Sequence, residues 1–204
     1  MSSRWWSRPG VRTASPSVVR VLGTACGLGI EGSGWVVRPG LVVTAAHVVA
    51  GEHDTSVVPS TGRALAAEAV AFDSHDDLAI LRVPGLTAPP LRLVDPRAGT
   101  PVAIVGYPLN GPLNATAGRI GSTATVFAQD AYGNVPTRRT VTSLSGSVEH
   151  GNSGGPAVDA SGAVQTTVFA ARASGGGGYG IPASVIRRDL SSVRGPVSTR
   201  SCVG

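Results

Sequence analysis

The chain has 204 residues, with 28 glycines, 15 prolines and only 4% aromatic residues, a balance that favours short strands and many turns over long helices. That length accommodates one α/β domain or one two-barrel β unit with a sizeable core. The formal charge is +5 and the pI about 10.2, yet every basic residue is arginine and the arginines are scattered, which argues against a nucleic-acid-binding stripe.

Residues 1–16 are polar, contain Pro and Ser, and are read as a flexible N-terminal segment. Met1–Gly10 is basic and carries Trp5 and Trp6, but no apolar signal core follows it. Its two readings are an unstructured start and a juxtamembrane or export-derived remnant. No run reaches the ~18 apolar residues that a membrane-spanning helix needs. Membrane association is therefore expected only through a segment absent from this chain.

The run Val18–Leu22 reads as a strand, and residues 26–33 as a Gly-rich loop. Gly34–Arg38 and Leu41–Thr44 form a hairpin around the turn signal Pro39-Gly40, which leaves His47 just past a strand end. Ala64–Phe72 and Leu78–Val83 are further strands, with Asp77 at the mouth of the second. Prolines at 84, 89, 90, 96 and 101 mark a seam between two halves. Val102–Pro108 opens the second half, followed by strands near 115–128 and 137–145, a serine loop at 150–156 and a strand at 163–171. Ser174–Gly180 reads as a flexible Gly loop and, without lysine, is not a P-loop. Pro182–Val193 has Val185, Ile186, Leu190 and Val193 at helical spacing. The expected fold is all-β: two six-stranded antiparallel β-barrels and a C-terminal helix. Residues 17–95 form the first barrel, and residues 96–204 the second barrel with its helix.

The chemistry centres on His150-Gly151-Asn152-Ser153-Gly154-Gly155-Pro156. A serine framed by small residues is exposed on a tight turn whose N–H groups can converge on one spot, as a serine nucleophile and its oxyanion hole require. His47 supplies an imidazole upstream and Asp77 a carboxylate, in the chain order His, Asp, Ser. An α/β-hydrolase also carries G-x-S-x-G, but its His follows the serine, and here no His follows Ser153. Asp76 competes for the carboxylate role; Asp77 heads the strand directly and is preferred. His53 and His75 show no metal-ligand spacing, so no metal or cofactor is expected. Cys26 and Cys202 are either two unrelated thiols or one bridge. A bridge would close a long loop, stabilise by roughly 5 kcal/mol in the chain-entropy model, and point to an extracytoplasmic compartment.

Ala45-Ala46-His47, Asp77-Leu78-Ala79-Ile80-Leu81 and Gly151-Asn152-Ser153-Gly154-Gly155-Pro156, in this order, resemble the chymotrypsin-fold (trypsin-like) serine proteases over most of residues 18–190. Within that clan the chain is similar to the bacterial HtrA-like branch, and there to the MarP-like periplasmic proteases of actinobacteria. The transmembrane helices of that group are missing from this chain, and there is no room for a PDZ domain. The resemblance implies an endopeptidase acting on protein or peptide substrates, with His47 as general base, Asp77 as its orienter and Ser153 as nucleophile. It implies an oxyanion hole from the N–H groups of Gly151 and Ser153, a Cys26–Cys202 disulfide, and a role in envelope stress or acid resistance. It places Ser147, His150, Val168, Phe169 and Ala170 at the substrate pocket. With no carboxylate expected in that pocket, a small or medium apolar side chain is expected before the cleaved bond. Asn152 cannot pair with a new N-terminal ammonium, which argues against activation through a buried terminus. A silent protease fold that only binds peptides is the competing reading.

Overall fold

The computed structural model describes residues 7–25, 27–133, 136–172 and 175–199. Cys26 and Cys202 lie outside the described residues. Among the described residues thirteen strands form two antiparallel sheets. The first contains β1 (Val18–Ala25), β2 (Leu28–Arg38), β3 (Leu41–Ala45), β4 (Ser56–Pro59), β5 (Leu65–Ala66), β6 (Glu68–Asp73) and β7 (Leu78–Arg82), in the order β5-β4-β1-β2-β3-β7-β6. The second contains β8 (Pro101–Gly106), β9 (Asn114–Gln129), β10 (Pro136–Gly146), β11 (Pro156–Val158), β12 (Val164–Ala171) and β13 (Gly177–Pro182), and closes as β10-β13-β12-β11-β8-β9. This is the chymotrypsin-like architecture, with seven strands in the first sheet rather than six.

Several local expectations change. Residues 9–14 form a short helix, α1 (Pro9–Ala14), opened by Pro at its first turn. Val11 and Ala14 share its buried face and lie against the second sheet, so this part of the segment read as flexible is packed. β2 begins at Leu28, inside the expected loop, because its glycines pair with the residues of β1 in an unbroken register. Gly177–Pro182 is strand rather than loop, since barrel closure requires a partner between β10 and β12. The C-terminal helix is α3 (Ala183–Ser192), with Val185, Ile186 and Leu190 buried.

Three features position the site. β3 pairs with β7 so that Ala45 faces Leu78; the residues just beyond this rung, on α2 (Ala46–Val49) and on the turn before β7, are therefore neighbours. Trp35 of β2 is fully buried and its indole N–H donates to Thr167 Oγ1 of β12 at 2.9 Å, tying the two sheets together. On α3, Arg188 binds Asp73, Asp76 and Asp189, which fixes the helix against the turn between β6 and β7.

Glu52, just after α2, is 5% exposed. One carboxylate oxygen accepts from Thr55 Oγ1 at 2.7 Å, while Oε1 has no partner among the described residues. Burial pushes its pKa up from 4.5 to about 7, against the opposing Thr55 hydrogen bond and with a further upward push from Asp54. A folded pKa above the unfolded one means that the folded state holds the proton more tightly. The stability is complete below about pH 4.5 and is lost as pH rises through about 7. The full shift corresponds to about 3 kcal/mol. Glu52→Gln is expected to raise the melting temperature at pH 8 by several degrees and to flatten its pH dependence between 4.5 and 7. An unchanged melting profile in the variant would contradict this.

Candidate active site

His47 and Asp77 meet because of the β3–β7 register. Asp77 adopts a left-handed backbone conformation (φ 58°) at the turn before β7, tolerated by aspartate better than by most residues. Its carbonyl accepts from Ala46 N–H at 3.0 Å and its Oδ1 from His47 N–H at 2.9 Å, so Asp77 holds the start of α2. The same carboxylate grips the ring: His47 Nδ1 lies 2.9 Å from Oδ2 and 3.1 Å from Oδ1. A carboxylate only accepts, so Nδ1 carries the proton and Nε2 keeps its lone pair. Asp77 is 4% exposed. Asp76 turns the other way, to Arg188 Nη1 at 2.9 Å and His75 Nδ1 at 3.3 Å.

The serine loop leaves β10 and is pinned from both sheets. Ser33 N–H of β2 donates to Ser153 C=O at 2.8 Å, and Gly154 N–H to Val168 C=O of β12 at 2.7 Å. Gly151 and Gly154 have φ of 87° and 83°. A Cβ on Gly151 would lie 2.2 Å from Tyr107 C=O, and one on Gly154 2.0 Å from Ser33 C=O, so only glycine fits either place. The buried Ser33 hydroxyl donates to Gly151 C=O at 2.6 Å and accepts from Tyr107 N–H at 2.9 Å. This turns the Gly151 carbonyl inward. Among the described residues neither Gly151 N–H nor Ser153 N–H meets an acceptor. Asn152 is buried and its Oδ1 accepts from Glu149 N–H at 2.9 Å, bracing the turn.

His47 and Ser153 line one cavity of about 710 Å³, together with Leu109, Val148, Phe169 and Ala170. The Ser153 hydroxyl donates to Phe169 C=O at 3.3 Å rather than to His47. Of the residues expected at the pocket, His150, Phe169 and Ala170 line it, whereas Ser147 and Val168 do not. Ser147 is exposed and its Oγ bonds to Glu149 Oε1 at 3.3 Å, and Val168 points into the barrel core. Glu149 and Arg172 also lie on the wall of this cavity, so it carries one acidic and one basic side chain. Leu109 was not foreseen; its left-handed conformation (φ 53°) and N–H donation to His150 C=O at 2.8 Å hold it beside the serine loop. The turn chemistry of Pro108-Leu109-Asn110-Gly111 was a usable signal for that bend. Ser33 had none, since only strand pairing brings it here. Asp73, His75 and Asp76 place ligand atoms close together, but both carboxylates are engaged by Arg188.

A trypsin-like peptidase domain pattern matches residues 32–165. The chain belongs to the trypsin-like peptidase family. It is 36% identical over 205 residues to serine protease Rv3671c (MarP) of Mycobacterium tuberculosis, covering 97% of this chain and 51% of that protein. The chain thus spans about half the length of that relative. Against the crystal structure of the Rv3671c protease in its active form, the TM-score is 0.92 at 34% identity, covering 100% of this chain and 92% of that one. A DegP-like probable periplasmic serine endoprotease of Halomonas elongata is 34% identical over 137 residues, covering 65% of this chain and 28% of that protein.

In this peptidase fold the electrostatics of His47 are set by burial and by two charged groups. Burial of the ring pulls its pKa down, the Asp77 charge and hydrogen bond push it up by more, and Arg139 adds to the downward pull. The balance lies above the ordinary 6.5. A base must be neutral to accept a proton, so the acid limb of kcat/KM is expected above pH 6.5. Asp77→Asn is expected to lower kcat by about 10⁴-fold and to bring the His47 titration, followed by NMR of the ring, to lower pH. A variant with the wild-type His47 titration would contradict the pairing.

Proposed function

We propose that this chain is a serine endopeptidase domain that hydrolyses peptide bonds through His47, Asp77 and Ser153. The observation that carries the reading is the Asp77-held imidazole of His47 sharing a cavity with Ser153, beside two N–H groups that meet no acceptor among the described residues. Ser153 attacks the peptide carbonyl while His47 Nε2 takes its proton, and Asp77 stabilises the imidazolium. The carbonyl oxygen, now negative, is met by the N–H groups of Gly151 and Ser153, worth about 10²–10³ in kcat for a single donor. His47 passes the proton to the leaving amine, and water then frees the acyl-enzyme by the reverse sequence. The name of one relative, a probable periplasmic serine endoprotease, supports an extracytoplasmic setting; envelope stress or acid resistance is the context proposed for the activity. A Cys26–Cys202 bridge belongs to the same reading. Among the described residues no helix is long and apolar enough to cross a membrane.

The hydroxyl of Ser153, turned to Phe169 C=O, favours a second reading in which the fold binds peptides without cleaving them. Catalysis asks for rotation about χ1 of Ser153 toward His47, a fast change for a partly exposed side chain. A fluorophosphonate probe separates the two readings. The peptidase is expected to be labelled stoichiometrically at neutral pH, with labelling abolished in Ser153→Ala. Absence of labelling in the native chain would favour the silent binder.

A further inference from the structure

A second cavity, of about 410 Å³, opens on the other side of His47 and shares Phe169, Ala170 and Ala171 with the first. Its floor holds Arg139 of β10, only 6% exposed. The guanidinium lies over the Phe169 ring, 4.3 Å from its centroid, while Nε and Nη1 have no hydrogen-bond partner among the described residues. Four carboxylates lie within its electrostatic reach: Asp77, Asp76, Asp130 and Asp73. Among the described residues' hydrogen bonds and ion pairs, none joins one of these carboxylates to the Arg139 guanidinium. Asp77 is engaged by His47, Asp73 and Asp76 by Arg188, and Asp130 Oδ1 accepts from Tyr132 N–H. A buried guanidinium with unmet donors is costly in a folded chain, and a planar fork of N–H groups fits a carboxylate above other partners.

The strand edge between the cavities indicates what would bring that carboxylate. β11 pairs with β12 only as far as Thr167, and Val168 is the last residue bonded to the serine loop, through Gly154 and Gly155. Among the described residues, the edge of Phe169–Ala171 opposite β13 meets only the Ser153 hydroxyl, at Phe169 C=O, and suits an extended peptide added as a further strand once that hydroxyl turns to His47. Successive side chains of such a peptide point to opposite faces. When the side chain of the residue whose carbonyl is attacked occupies the Ser153 cavity, its neighbour faces His47 and Arg139.

We propose that Arg139 is a specificity-determining residue that selects substrates with an acidic side chain, glutamate above all for its reach, immediately before the residue whose carbonyl Ser153 attacks. This rests on the endopeptidase reading above. Arg139 does not touch the reacting atoms; it binds substrate.

The test uses the full chain and matched fluorogenic peptides that differ only in Glu, Gln or Lys at that position, and in a control series at the position after the cleaved bond. A charge-assisted hydrogen bond predicts kcat/KM about ten- to a hundredfold higher for Glu than for Gln, expressed in KM as well as in kcat. Lys is expected to be slower than Gln. In Arg139→Met the Glu/Gln ratio should fall to about one, and Arg139→Lys should restore part of it. Each ratio compares two substrates on one enzyme and so is insensitive to how much of a variant folds. A native Glu/Gln ratio near one, or a ratio that survives Arg139→Met, overturns the inference. Fluorophosphonate labelling of Ser153 in the same preparation separates this outcome from failure of the endopeptidase reading, which would remove labelling and cleavage together.

Discussion

The pairing of β3 with β7 in a single register is the constraint on which the candidate site depends. With Ala45 opposite Leu78, the first turn of α2 lies against the residue before β7, and one aspartate can bind both the backbone and the ring of His47. A slip of one residue would turn every side chain of β7 to the opposite face and carry Asp77 away from the imidazole. The left-handed conformation of Asp77 belongs to the same arrangement, since it lets the carbonyl and the carboxylate reach α2 together.

The second constraint is the anchoring of the serine loop to the first sheet. Ser33 is the pivot: its N–H holds the Ser153 carbonyl, its hydroxyl bridges Gly151 and Tyr107, and its own carbonyl accepts from Thr44 Oγ1 at 2.8 Å. With Trp35 bonded to Thr167 nearby, two adjacent inward residues of β2 connect the sheets at the place where the imidazole and the hydroxyl approach. The candidate site thus lies at a seam, with its imidazole beside one sheet and its serine beside the other. Loops carry the reactive groups while rigid strands fix their distance.

Much of this was legible in the chain. The runs Leu41–Thr44 and Leu78–Val83, the Pro39-Gly40 turn and the glycines around Ser153 carry local signals, because a strand, a hairpin and a tight turn each impose a composition of their own. The candidate residues His47, Asp77 and Ser153 were readable from those runs and their order. Arg139, Ser33 and Leu109 were harder to see, since their roles come from contacts between distant segments. Ser147 was placed near the pocket floor by resemblance alone, and its hydroxyl turns outward to Glu149. Gly177–Gly180 looked like part of a loop because glycine is a poor strand former, and only the need to close the barrel makes it part of β13.

Acylation of Ser153 is the one covalent event that the proposed mechanism requires, and trapping it is the most direct measurement. The chain is mixed with an activated peptidyl ester, quenched in acid within the first turnover, and weighed by intact-protein mass spectrometry. The account predicts a mass increase equal to one acyl group, located on Ser153 by fragmentation and absent from Ser153→Ala. Hydrolysis that proceeds with no adduct, or with the adduct on another residue, would contradict it.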